Sequence, residues 1–105
     1  PSPSILTKGL LDEILYFYRE EIENYKKAIA RNKENIARLE VRISKASVDL
    51  YDKISSEIDE CHADINFEEE ELEHYQYWYN KFSFLVDIID NESNSENYEM
   101  IYTKC

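Results

Sequence analysis

The stretch SKASVD, residues 44–49, lies between two long apolar repeats and decides whether the chain forms one helix or two. On either side of it, apolar residues recur at alternating steps of four and three, which is typical of a helix that packs along one stripe. Across the stretch itself the steps become 4, 4 and 4, so the two repeats are out of phase. Either one helix continues with a stutter in its repeat, or the chain reverses here.

Both repeats are long enough to form the packed side of an extended helix. The first, named seam 1, has twelve positions with Asn32 as its polar member, and the second, seam 2, has eleven positions with Glu68 as its charged member. After Gly9 the chain contains no Gly or Pro, so no residue forces further turns. Seam 1 comprises Leu11, Leu15, Tyr18, Ile22, Tyr25, Ile29, Asn32, Ile36, Leu39, Ile43, Ala46 and Leu50, and seam 2 comprises Ile54, Ile58, Cys61, Ile65, Glu68, Leu72, Tyr75, Tyr79, Phe82, Val86 and Ile89.

Charge favours a reversal over a single helix. Residues 26–45 contain seven basic and two acidic side chains, whereas residues 49–73 contain one basic and eleven acidic side chains. A reversal places these two blocks side by side, while a continuous helix of about 80 residues, roughly 120 Å long, would leave them apart. Each exposed pair contributes only about 0.2–1 kcal/mol, but opposed blocks fix the orientation. The sequence therefore predicts an all-α fold, an antiparallel helical hairpin over residues 10–90 with its turn near residues 44–49.

The predicted hairpin has a definite register. Ser47 is expected to cap the second helix, with Asp49 in its first turn. Partner residues are expected to have numbers that sum to about 94, which places Asn32 opposite Cys61 or His62 as a polar layer. The other expected pairs are Tyr25 with Glu68, Tyr18 with Tyr75, and Leu15 with Tyr79.

The two ends of the chain and the middle of the second helix carry their own signals. Residues 1–9 are expected to form a short extended N-terminal segment, with Thr7 as a candidate cap before Leu10. Residues 91–105 are expected to form a polar linker and a C-terminal tail, because NESNSEN precedes the apolar YEMIYTKC. NFEEEELE, residues 66–73, is similar to a helix cap with an acidic first turn, so a kink or a third helix near Asn66 is an alternative.

No pattern for catalysis, cofactor binding or metal binding stands out. The chain has one Gly, so it has no glycine-rich phosphate loop. Cys61 and His62 are adjacent and point about 100° apart on a helix, and no other spacing fits zinc. Glu71 and His74 have the spacing of a di-metal motif of helical bundles, but no second copy accompanies them. The sequence predicts a protein that is not an enzyme and has no cofactor or metal.

The net charge of −11 restricts the class of partner. Direct binding to nucleic acid or to an anionic membrane requires clustered Lys and Arg, so neither is expected. No apolar run approaches the roughly 18 residues of a membrane span, and two cysteines form no disulfide framework, so a soluble cytoplasmic protein is predicted. The expected partner is another protein with a basic or apolar surface.

The aromatic stretch HYQYWYNKF, residues 74–82, carries more apolar surface than seam 2 can bury. On a helical wheel, Trp78 and Leu85 widen the seam 2 face on one side. Tyr77 falls on the opposite side of the helix, together with Phe84 and Ile88. A second apolar face needs a cover, either from the chain's own ends or from another protein. The predicted partner-binding residues are Tyr16, Phe17, Tyr77, Trp78, Phe84 and Ile88, and the end residues that could cover the face instead are Ile5, Leu6, Met100, Ile101 and Tyr102.

Two functions are compatible with these features. The first is a non-enzymatic interaction module that binds a partner protein and forms a homo-oligomer through its aromatic end. The alternative is an inhibitor that blocks a basic or nucleic-acid-binding protein by charge; small acidic viral and phage inhibitors of this kind resemble the chain in size and charge. The acidic residues predicted for that role are Asp59, Asp64, Glu68, Glu69, Glu70 and Glu71.

Overall fold

The computed structural model describes the backbone of residues 3–93 and the side chains of residues 8–91, and within that range the chain forms two helices. Helix α1 spans Pro3–Ser44 and helix α2 spans Val48–Ser93, with residues 45–47 between them. The two helices pack against each other and no strand occurs in the described range. The predicted all-α helical hairpin and its turn near residues 44–49 are confirmed.

The reversal is made by backbone hydrogen bonds and needs no glycine. The N–H groups of Lys45 and Ala46 donate to the carbonyls of Arg42 and Ile43 at 3.1 and 3.2 Å, which tightens the end of α1. The carbonyl of Ser47 accepts from two N–H groups of the first turn of α2, at 3.1 and 3.0 Å, so Ser47 occupies the capping position. No described residue has a positive φ, so the usual left-handed residue at a helix end is not used.

Both helices are longer than the sequence predicts. Helix α1 begins at Pro3, so the extended segment with Thr7 as cap is wrong for residues 3–9. Proline fits a first helical turn because its φ is preset and its missing N–H would have no helical partner there. Helix α2 continues through Asn66, because seam 2 continues past it and favours helix on both sides, so a third helix starting there is wrong. Helix α2 continues to Ser93, so the polar linker expected from residue 91 is wrong for residues 91–93, and the rest of the expected linker and tail, residues 94–105, lies outside the described residues.

Burial follows the two seams closely. Eleven of the twelve seam 1 side chains are buried or half-buried, and Leu50 is the exception at 49% exposure. All eleven seam 2 side chains are buried or half-buried. The most buried is Ile54, at 2% exposure. The buried apolar side chains are Leu11, Ile22, Ile29, Ile36, Leu39, Ile54, Ile65 and Val86.

The register differs from the expected one. The amide of Asn32 donates to Glu68 Oε1 at 2.7 Å, and Tyr25 stacks on Tyr75 with ring centroids 5.6 Å apart, so partner numbers sum to 100. The expected pairings of Asn32 with Cys61 or His62 and of Tyr25 with Glu68 are therefore wrong. The stacking of Tyr18 on Phe82, whose numbers also sum to 100, likewise contradicts the expected pairing of Leu15 with Tyr79. Relative to the expected sum, each residue of α1 meets a residue six positions further along α2, about 9 Å away.

The exposed first turn of α2 gives the physical reason for the shift. A sum near 94 assumes that α2 starts level with the end of α1. Residues 45–47 instead carry the chain beyond that end, so the first turn of α2 has no facing turn of α1. Its side chains Val48, Leu50 and Tyr51 are accordingly 88%, 49% and 53% exposed.

Contacts divide the hairpin into two compact units. The turn-end unit, Glu21–Tyr75, contains the core cluster of Ile29, Ile36 and Ile65, with Ile58, Cys61 and Leu72 packed against it. The open-end unit is formed by Pro1–Glu20 and Gln76–Cys105, of which residues 8–20 and 76–91 have described side chains.

Candidate protein-interaction surface

Aromatic side chains join the two helices of the open-end unit. The rings of Tyr18 and Phe82 stack across the seam, with centroids 5.7 Å apart and planes 15° from parallel. Trp78 reaches the same phenylalanine from one turn earlier, with centroids 5.8 Å apart. Aromatic pairs at such distances favour defined ring orientations, so this end of the hairpin has fixed surfaces.

An ion pair identifies one flank of the open-end unit. At about 100° per residue, Lys8 and Asp90 each lie about 60° from the centre of their seam, in the same rotational sense. In an antiparallel pair such equal offsets fall on one flank, and Lys8 Nζ indeed lies 2.5 Å from Asp90 Oδ1. The hydrogen bond and the charge of Asp90 both raise the pKa of Lys8. We name this side the polar flank.

The opposite side of the same unit is apolar. Three side chains of α1 and three of α2 lie between about 60° and 140° from their seams in the other rotational sense, which places all six on one side of the hairpin. We name this set the apolar flank. Its members and their exposed fractions are Leu10 62%, Ile14 36%, Phe17 53%, Trp78 39%, Leu85 45% and Ile88 37%.

A second exposed group lies on the side of α2 that points away from α1. Tyr77 and Phe84 are 53% and 63% exposed there, and we name them the outer face. The Tyr77 ring is held edge-on against Trp78 at 5.3 Å and at 90°. Lys81 Nζ lies over the Tyr77 ring, 5.3 Å from its centroid. These two contacts restrict the orientation of the exposed Tyr77 ring.

The six partner-binding residues predicted from sequence are all exposed, but they do not share one face. Phe17, Trp78 and Ile88 lie on the apolar flank, and Tyr77 and Phe84 form the outer face. Tyr16 lies on α1 away from both groups, with the guanidinium carbon of Arg19 5.8 Å from its ring centroid.

Sequence reasoning missed three members of the apolar flank. Leu10 and Ile14 were not singled out, although with Phe17 they have the i, i+4, i+7 spacing of one helix stripe. Leu85 was assigned to a widened seam, yet 45% of it is exposed. A helical wheel drawn on α1 would have found Leu10 and Ile14, whereas grouping them with Leu85 requires the relative rotation of the two helices.

The acidic residues predicted for the inhibitor role are divided between two environments. Glu68 is half-buried in the seam, where it accepts the 2.7 Å hydrogen bond from Asn32, and Glu71 is also half-buried. The other four, Asp59, Asp64, Glu69 and Glu70, are exposed.

The two charge blocks face each other without direct pairing. Arg38 and Arg42 line one groove of about 560 Å³ together with Glu57, Glu60 and Asp64. Even so, no ion pair within 4.0 Å joins residues 26–45 to residues 49–73, all of which the structure describes. The blocks therefore attract at longer range, within a screening length of about 8–10 Å, and the exposed carboxylates keep contact with solvent.

Metal binding and membrane insertion have no structural support in the described residues. No group of three or more His, Cys, Asp or Glu side chains there could hold a metal ion. Neither helix, over that same range, is apolar enough along a sufficient length to cross a membrane.

Comparison with known proteins gives no match: no family model, no curated protein and no solved structure is detectably similar to the chain. What the chain binds is therefore inferred from the chemistry of its own surface.

Proposed function

We propose that the chain is a non-enzymatic protein–protein interaction module that binds a partner protein through the exposed aromatic side chains of its open end. One observation carries the proposal. Among the described side chains of residues 8–91, fourteen large hydrophobic ones are exposed. Nine of them belong to the open-end positions 8–20 and 76–91, whereas positions 21–75 contribute five. Concentrated apolar surface of this kind marks interaction sites in folded proteins.

The outer face supplies the anchors for that partner. Tyr and other aromatic side chains are enriched among the few residues that dominate binding energy. Contacts with Trp78 and Lys81 already restrict the Tyr77 ring, so ordering it on binding costs little further entropy. The net charge of −11 favours a partner whose apolar pocket is surrounded by basic side chains.

A matched pair of double variants tests the proposal. Tyr77→Ala with Phe84→Ala removes the outer face, and Tyr51→Ala with Phe67→Ala removes a tyrosine and a phenylalanine of similar exposure, 53% and 58%, from elsewhere on α2. Partners are captured from lysate on the immobilised protein, identified, purified and titrated against each variant. The first variant is expected to weaken binding about 30-fold or more, as hot-spot losses do, and the second to bind like the parent.

The outcome against the proposal is equally definite. If the purified partner binds the Tyr77 and Phe84 variant as tightly as the parent, or loses equal affinity with both variants, the outer face is not the binding site. Circular dichroism of both variants checks that helix content is unchanged.

The acidic inhibitor is kept as a second candidate because of the missing ion pairs between the charge blocks. Asp59, Asp64, Glu69 and Glu70 are exposed and available to a basic protein. The same titration distinguishes the two functions, because binding by charge falls steeply with salt whereas aromatic anchoring changes little. Affinity that collapses with salt and is unaffected by the Tyr77 and Phe84 variant favours the acidic surface.

A further inference from the structure

We propose that the apolar flank is covered by a second copy of the chain, so that two hairpins form a four-helix bundle around it. The inference goes beyond the proposed function by giving the flank and the outer face different occupants. Its first support is the thin core of one hairpin. Among the described residues only eight apolar side chains are buried, because each helix covers just one stripe. Pairing two hairpins would give each helix a second packed stripe, as in helical bundles.

The flank itself is large enough for a standard interface. Its six side chains are between 36% and 62% exposed, and at about 200 Å² for a large side chain they present roughly 550 Å² of mostly apolar area. A standard interface buries about 800 Å² per partner, of which about 60% is apolar, or about 480 Å². The apolar flank thus supplies the apolar area that a stable dimer needs.

The distribution of charged side chains allows a second copy of the chain to bind at the apolar flank, although both copies are acidic. The described open-end positions carry eight charged side chains, and all five acidic ones, Asp12, Glu13, Glu20, Asp87 and Asp90, fall outside the arc of the apolar flank. Lys81 alone of the eight falls within it, and its ammonium group leans over Tyr77 toward the outer face. In a chain of net charge −11, two copies can therefore meet at the flank without bringing the described carboxylates of the open end face to face.

The order of side chains along the flank suits a twofold axis. In the observed register Trp78 lies toward the turn, Leu10 toward the open end, and Leu85 near the middle. A twofold axis at the middle places the bulky Trp78 of one copy against the smaller Leu10 of the other. Such an isologous contact closes on itself and gives a dimer rather than a filament.

Sedimentation equilibrium of the full chain from about 1 to 100 μM tests the inference, a range that covers ordinary dimer affinities. The parent is expected to reach twice its 12.6 kDa mass. Leu85→Asp is expected to weaken the dimer about 30-fold or more, because it buries a charge at the centre. Leu50→Asp is the matched control, a leucine of α2 with 49% exposure against 45% for Leu85, and is expected to leave the dimer unchanged.

A second variant keeps the test valid if Leu85→Asp unfolds. Leu10 is 62% exposed, so Leu10→Asp leaves the hairpin folded and is expected to weaken the dimer as well. A parent that stays monomeric, or a dimer that Leu10→Asp and Leu85→Asp leave intact, overturns the inference. So does equal dissociation by Leu50→Asp.

The two proposals can fail separately. The Tyr77 and Phe84 double variant is expected to remain dimeric while losing the captured partner. If that partner binds a monomeric parent through Tyr77, the dimer is wrong and the proposed function stands. If the dimer forms and the partner ignores Tyr77, the proposed function fails and the dimer stands.

Discussion

Individual polar residues in the seams fix the register between α1 and α2. Asn32 and Glu68 form a side-chain hydrogen bond between α1 and α2 inside the seam. A polar pair in an otherwise apolar stripe costs desolvation, yet it fixes register because any slip leaves both groups without a partner. Each helix alone shows one exception in its seam, and the pairing of the two exceptions becomes apparent once the structure gives the register.

Breaking this pair is expected to cost more than an ordinary surface change. Asn32→Leu leaves the half-buried carboxylate of Glu68 without its donor, which is expected to lower the free energy of unfolding by about 1–3 kcal/mol. Replacing both, Asn32→Leu with Glu68→Leu, is expected to recover that loss, because two apolar groups pack in the seam. Urea unfolding of the two single variants and the double variant gives the coupling. An additive result would contradict the assigned hydrogen bond.

The half-buried phenol of Tyr25 adds a pH dependence at the same scale. Burial raises the pKa of Tyr25 above its usual value of 10.0, and the nearby charge of Glu71 adds to the effect. The neutral phenol is therefore favoured in the folded state. Its stabilisation is complete below pH 10 and is lost as the pH rises through the folded-state pKa.

The urea midpoint of the parent is thus expected to fall above pH 10, and Tyr25→Phe is expected to make that fall smaller. Tyr51→Phe serves as the control, because the ring of Tyr51 is 53% exposed. Equal pH dependence in the two variants would show that burial of Tyr25 does not contribute.

At the scale of a helix, the burial of a side chain, rather than its place in the apolar repeat, decides how much it contributes to stability. Ile54 and Leu50 are one turn apart on α2, and both belong to the run of apolar steps across the turn. Ile54 is 2% exposed and Leu50 is 49% exposed, because the first turn of α2 extends past the end of α1. The apolar repeat alone gives these two positions the same weight.

Truncating Ile54 and Leu50 is expected to change the free energy of unfolding by clearly different amounts. Ile54→Ala should lower the free energy of unfolding by about 2–5 kcal/mol, since it removes a buried side chain and leaves a cavity. Leu50→Ala should change it by no more than about 0.5 kcal/mol. Urea denaturation measures both, and similar losses would mean that the first turn of α2 is packed after all.

For the whole molecule, the sequence predicts the fold better than the surface. Alternating steps of four and three identify both seams, and opposed charge blocks indicate the reversal at residues 44–49. The predicted sum of partner numbers, about 94, is six below the observed sum of 100. The sum depends on the path of residues 45–47, which carry no strong turn signal. The apolar flank was found only in part, because grouping Leu10 with Leu85 requires the relative rotation of two helices.

The single reversal at residues 45–47 also determines the order in which contacts can form during folding. Tyr25 and Tyr75 are 50 positions apart in sequence, whereas Lys8 and Asp90 are 82 apart. Closing a longer loop costs more entropy, so a hairpin of this kind is expected to form from its turn outward, with positions 8–20 and 76–91 pairing after positions 21–75. The apolar flank and the outer face both lie at these late-pairing positions. A partner protein or a second copy that binds there would therefore also stabilise the contacts between α1 and α2 that form last.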